Sequence, residues 1–145
     1  MRDKLGLFGK EEKDKFLILD LLTWMHKERV DYTNTFCHLM NAEFKKDKIY
    51  NNKEFLEWKM RWEKRFLINN DDNKKHLKLM RKVNPLVIPR NYKVEEALDA
   101  AIKNNFEPVN NLLKVLEKPF EIQDNISKYQ SPNISNIKYQ TFCGT

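Results

Sequence analysis

The residues able to ligate a metal or act as nucleophile and base are few and scattered. His26, His38 and His76 are the only histidines, and none stands at i, i+4 from another. Cys37 and His38 are adjacent, so on a helix they point in different directions. A metal site needs several converging ligands, which this spacing does not supply, and no metal ligand is assigned. A Cys37–His76 pair could act as nucleophile and base only if the tertiary fold brought it together. Phe55, Trp58, Trp62 and Phe66 could stack on a ligand, but aromatics at helical spacing ordinarily fill a core. The acidic pairs Glu11–Glu12, Asp71–Asp72 and Glu95–Glu96 are read as helix starts, where they offset the dipole and unpaired amides. Lys74, Lys75, Lys78, Arg81 and Lys82 spread around one helix as a solvated face, with a phosphate-binding stripe as the rival reading. No glycine-rich phosphate loop, nucleophile elbow or kinase-type catalytic loop occurs. Phosphate-handling enzymes need most of those parts, so the sequence carries no catalytic or cofactor-binding residue of its own.

The elements that would position these side chains are helices. Three glycines in 145 residues are too few for strand-rich folds. Leu17, Ile18, Leu21, Leu22, Trp24 and Met25 form one broad apolar face between about Glu11 and Lys27. Before it, Met1 to Leu7 reads as the last turn of a helix stopped by Gly6, an odd place for a domain to begin. Asp31-Tyr32-Thr33 offers a cap for a short helix through Phe36, Leu39 and Met40. An Asn of the Asn51–Asn52 pair caps the aromatic helix, which runs to about Leu67. Asp71–Asp72 open a helix with Leu77, Met80 and Val83 inward, ended by Asn84–Pro85. Pro85 to Asn91 is an extended linker. Then come two helices with buried stripes, Val94, Ala97, Leu98, Ala101 and Ile102 in the first, and Val109, Leu112, Leu113 and Leu116 in the second. Pro108 opens the second and Pro119 stops it. The expected fold is all-α: five or six helices around one core over residues 1–120, with an irregular tail over 121–145.

Composition narrows the class further. The chain is 41% hydrophobic and 33% charged, with nine Phe and three Trp, which is globular rather than disordered. The net charge of +6 comes from 27 basic residues, mostly Lys, in a chain also rich in Asn. That bias reads as genome composition before it reads as a nucleic-acid surface. Two cysteines make no disulfide scaffold, so a reducing cytoplasm is the expected compartment. The N-terminus has no apolar run of a signal peptide, and no stretch approaches the roughly 20 residues of a membrane span.

Several strings in order carry a resemblance. They are Lys4-Leu5-Gly6-Leu7, Asp31-Tyr32-Thr33 with Phe36, the Trp58 to Phe66 run, and Asn84-Pro85 with Ile88-Pro89-Arg90-Asn91. Val94-Glu95-Glu96-Ala97-Leu98 with Ala100-Ala101, Leu112-Leu113, Leu116, Pro119-Phe120 and the terminal Tyr139 to Thr145 follow. Together they resemble the C-terminal third of the selenoprotein O family, the kinase-like protein adenylyltransferases. The resemblance implies a parent that binds ATP and magnesium and transfers AMP to protein Ser, Thr or Tyr hydroxyls. It also implies that the nucleotide- and metal-binding residues lie upstream, so this segment alone is inactive, binds no cofactor and packs on a catalytic kinase-like lobe. Cys143 occupies the place of the family's terminal selenocysteine or cysteine, which makes it the candidate regulatory redox residue. A mobile terminal thiol suits exchange chemistry; Cys37 reads as a small buried hydrophobe.

The reading is therefore a helical segment of a protein adenylyltransferase, working with a catalytic lobe and, through it, on protein substrates. A stand-alone helical interaction module is the alternative, and a basic nucleic-acid-binding domain ranks third. An apolar face left by an absent lobe would also favour self-association.

Overall fold

The computed structural model describes residues 1–9, 11–41, 47–67 and 73–132. These residues form helices and connecting turns, with no strand among them. The helices are α1 (Asp14–Lys27), α2 (Tyr32–Leu39), α3 (Lys53–Leu67), α4 (Asn73–Val83), α5 (Asn91–Ile102), α6 (Glu107–Leu116) and α7 (Ser127–Gln130). Two 3₁₀ turns, Asp3–Leu5 and Lys48–Asn51, complete the set.

The helix starts follow local chemistry. The Asp31 carboxylate accepts from the Asn34 amide at 2.8 Å, closing the first turn of α2. Asn52 Oδ1 accepts from the Glu54 amide at 2.9 Å and caps α3. Gly6 takes the left-handed conformation at φ 69° and its amide bonds Asp3 O, which ends the first turn as expected. Pro108 sits in the first turn of α6, where its missing N–H costs nothing. Two readings shift. Glu95–Glu96 lie in the second turn of α5, not at its start. Asp71–Asp72 lie outside the described residues, and α4 is described from Asn73.

The core is built on α3. Phe55, Trp58, Trp62 and Phe66 are all buried. Their rings follow one another at centroid distances of 5.8, 5.8 and 4.8 Å. The indole N–H groups bind across helices: Trp58 Nε1 donates to Leu17 O of α1 at 2.8 Å, and Trp62 Nε1 donates to Leu5 O at 2.9 Å. The ladder is thus a core that also satisfies its polar atoms, which removes the ligand-stacking reading. Leu17, Leu21, Trp24 and Met25 of α1, Phe36, Leu39 and Met40 around α2, and Met80 of α4 close over it.

The last helices are attached differently. α5 and α6 pack chiefly on each other. Only Ala97, Leu112 and Val115 of the pair are buried. The stripe read from the sequence is therefore only partly covered: Leu98, Ile102 and Leu113 are exposed. The period of an amphipathic helix says which side is apolar, not whether the chain supplies a cover. The stretch after Pro119 includes α7, whose Tyr129 and Gln130 are buried beside Ile126.

Candidate functional site

The structure keeps the candidate chemical groups apart. Cys37 is buried with its sulfur 3.9 Å from the Pro85 and Leu86 carbonyl oxygens. His76 is fully buried elsewhere, stacked on Phe66 at 3.9 Å, with Nδ1 donating to Gly6 O at 2.5 Å. Its Nε2 is buried without a hydrogen-bond partner. His38 stacks on Tyr50 at 3.9 Å, and His26 is exposed on α1. Among the described residues no three His, Cys, Asp or Glu side chains converge to hold a metal ion. Cys143 lies outside the described residues. Lys74, Lys75, Lys78, Arg81 and Lys82 are exposed along α4, which carries no acidic residue.

What the fold does bring together is two ionic nodes that the sequence does not announce. In the first, the Asp14 carboxylate is buried between two guanidinium groups. Arg65 donates from Nε to Asp14 Oδ1 at 2.7 Å and from Nη2 to Phe8 O at 2.7 Å, and Arg2 donates to Asp14 Oδ2. Burial alone would push the Asp14 carboxyl up. The Arg65 hydrogen bond and the charges of Arg65 and Arg2 outweigh it and hold the group below its ordinary value. This node ties α1 to α3 and to the N-terminal turn.

The second node joins the body to the α5–α6 pair. Arg90, just ahead of α5, donates to both Asp31 oxygens at 2.5 and 2.9 Å. Its Nη2 also donates to Gln130 O of α7 at 2.8 Å. Asn34 Nδ2 reaches the same carbonyl at 3.2 Å, and Gln130 Nε2 donates to Leu86 O at 2.8 Å. Burial raises the Asp31 carboxyl, but the bonds from Arg90 and the Asn34 amide, with the Arg90 charge, bring it below its ordinary value. One carboxylate thus caps α2 and grips Arg90 at once. A cleft of about 700 Å³ opens beside it, bordered by Glu28, Arg29, Asp31, Asn34, Tyr50 and Lys128. Its charges are mixed.

No sequence signal marks Asp14, Arg65 or Arg90 as ionic partners. Asp14 and Arg65 are 51 residues apart, and Asp31 and Arg90 are 59 apart. Local period cannot reveal such pairs. Chemically, both nodes orient helices and satisfy buried charge. They present no nucleophile beside a base.

The sequence has counterparts among known proteins. The family model for protein adenylyltransferase SelO matches residues 1–117. A protein nucleotidyltransferase YdiU of Pelagibacter ubique is 45% identical over 146 residues, covering all of this chain and 30% of its own length. Counterparts of the same name from Alcanivorax borkumensis and Clostridium perfringens are 44% and 42% identical, with the same shares covered. The chain spans 30% of the length of these relatives. No described helix is long and apolar enough to cross a membrane. With the family model matched across the aromatic core and both ionic nodes' charged residues, this chain belongs to the protein adenylyltransferase SelO family.

Proposed function

We propose that this chain is the helical C-terminal portion of a protein adenylyltransferase, serving a kinase-like catalytic portion that lies outside it. One observation carries the reading. The whole chain aligns with relatives named nucleotidyltransferases, yet accounts for 30% of each. In the complete protein, a Ser, Thr or Tyr hydroxyl of a protein substrate would attack the α-phosphorus of ATP. AMP would pass to the oxygen and pyrophosphate would leave, with magnesium offsetting the phosphate charge. This portion would contribute rigid packing surface rather than chemistry. The proposed compartment is the cytoplasm, and Cys143 is the proposed redox residue of the same protein.

A second reading is a helical interaction module without catalytic activity. The exposed Leu98, Ile102, Phe106 and Leu113 favour it, since such side chains suit a protein partner.

The test begins with the native polypeptide, detected in source cells with an antibody to this chain. The captured species is then given ATP labelled at the α-phosphate, with magnesium. Label on protein is expected from a longer polypeptide or from a complex, and none from the 145-residue chain alone. Transfer by the isolated chain would overturn the assignment of chemistry elsewhere. A native product of this length with no catalytic partner would leave the interaction module.

A further inference from the structure

The apolar stripes of α5 and α6 are wider than what the described residues cover. On α5, Ala97 is buried and Val94 is half-buried, while Leu98 is 55% and Ile102 80% exposed. On α6, Leu112 is buried, Val109 and Leu116 are half-buried, and Leu113 is 55% exposed. At 100° per residue, the apolar arc runs in both helices from the buried member, through the half-buried ones, to the exposed ones.

The turn between the helices decides how the arcs combine. Asn104 adopts φ 62°, and the Asn105 amide donates to Ala100 O at 2.9 Å, which closes α5 and reverses the chain. In an antiparallel pair whose half-buried residues face each other, the two arcs open to the same side. Leu98, Ile102 and Leu113 therefore share the face turned away from the body. Phe106, 56% exposed at the start of α6, lies at its end. Exposed Glu95, Asp99, Lys103, Lys114 and Glu117 border it. Large apolar side chains inside a charged rim are the make-up of a protein docking surface.

We infer that this outer face of the α5–α6 hairpin is the docking surface for the catalytic portion of the family polypeptide, an inference that rests on the function proposed above. The occupant follows from length. The relatives match both helices and carry most of their sequence beyond the matched region. That additional chain is the apolar cover which the stripe calls for and the described residues do not provide. The hairpin's own attachment agrees: among the described residues it is held to the body through Arg90 on Asp31 and Gln130, with Gln130 on Leu86 O.

Site-resolved thiol labelling tests this. Leu98→Cys and Ile102→Cys are made separately in this chain carrying Cys143→Ser, and at the aligned positions of the full-length Pelagibacter ubique relative. Both sites are more than half exposed, so the substitutions leave the fold intact, and circular dichroism checks it. N-ethylmaleimide rates are read by mass spectrometry and normalised to those in guanidinium. The expected result is near-unfolded rates in this chain and at least ten-fold slower labelling in the full-length relative. Equal rates in the two overturn the proposal. So does protection in this chain alone, whether it rises with concentration, as for a second copy, or does not, as for its own residues after 132. AMP transfer by the full-length relative is assayed in parallel. Transfer with unprotected thiols fails the docking surface alone. Protected thiols without transfer fail the proposed function alone.

Discussion

Replacing Arg90 should loosen the joint between the helical body and the C-terminal hairpin. Arg90 makes two bonds to Asp31, at 2.5 and 2.9 Å, and one to Gln130 O at 2.8 Å. The side chains of Arg90 and Asp31 are 11% and 19% exposed, so the pair is mostly but not fully desolvated. Removing one member of a fully buried pair costs about 3–5 kcal/mol, because the other charge stays buried and unpaired. Partial solvent access and the surviving Asn34 cap reduce that, which gives about 2–3 kcal/mol for Arg90→Ala. For a domain of this size the loss corresponds to a fall in Tm of about 4–12 °C. Lysine keeps the charge but cannot grip both oxygens and the carbonyl together, so Arg90→Lys should recover less than half. Urea denaturation of the two variants, with Asp31→Asn and the Arg90→Ala/Asp31→Asn double variant, gives the coupling energy directly. A cost below about 0.5 kcal/mol for Arg90→Ala would place the pair with ordinary surface ion pairs and refute the reasoning.

Two further outcomes are expected. Gly6→Ala forces a side chain into φ 69°, with Cβ 2.9 Å from the His76 carbonyl oxygen and 3.1 Å from Met80 Cγ. The left-handed conformation and the backbone clash together should cost about 2–4 kcal/mol by urea denaturation; the same change at exposed Gly9, also at φ 69°, should cost about 1 kcal/mol. Acid should unfold the chain through Asp14 and Asp31, whose carboxyls both lie below the ordinary value of 3.8 when folded. Groups with lowered native values stabilise fully above 3.8 and lose that contribution as pH falls through the native values. Thermal melts between about pH 2 and 6 should therefore decline only below about 4, and less steeply in Asp31→Asn; an unchanged slope in that variant would remove Asp31 from the account.

The helices were legible because their causes are local. Spacing of three and four placed Phe55, Trp58, Trp62 and Phe66 on one side of α3, and the side proved to be the core. The Asp31-Tyr32-Thr33 string, the Asn51–Asn52 pair, Gly6 and Pro108 marked helix ends because a cap needs only its neighbours, and the structure places the caps on Asp31 and Asn52. The buried charge was not legible. Nothing along the chain sets Asp14 apart from the other acidic residues, or Arg65 from the other cations of α3. Only the packing of α1 across α3 removed both from water and made each the other's partner. His76 likewise fell among the lysines of α4, yet Phe66 and Gly6 enclose it.

The sequence by itself determined the all-helical class, the helix ends, the aromatic core and, through ordered strings, the family. These rest on period, capping and identity, each of which is written along the chain. The tertiary structure alone decided which charges pair and which apolar stripe finds a cover. Those depend on what lies across a gap of 50 or more residues, as from Asp14 to Arg65 and from Asp31 to Arg90. The same stripe logic that correctly buried α3 failed on Leu98, Ile102 and Leu113, because burial requires a second surface and helical period specifies only the first.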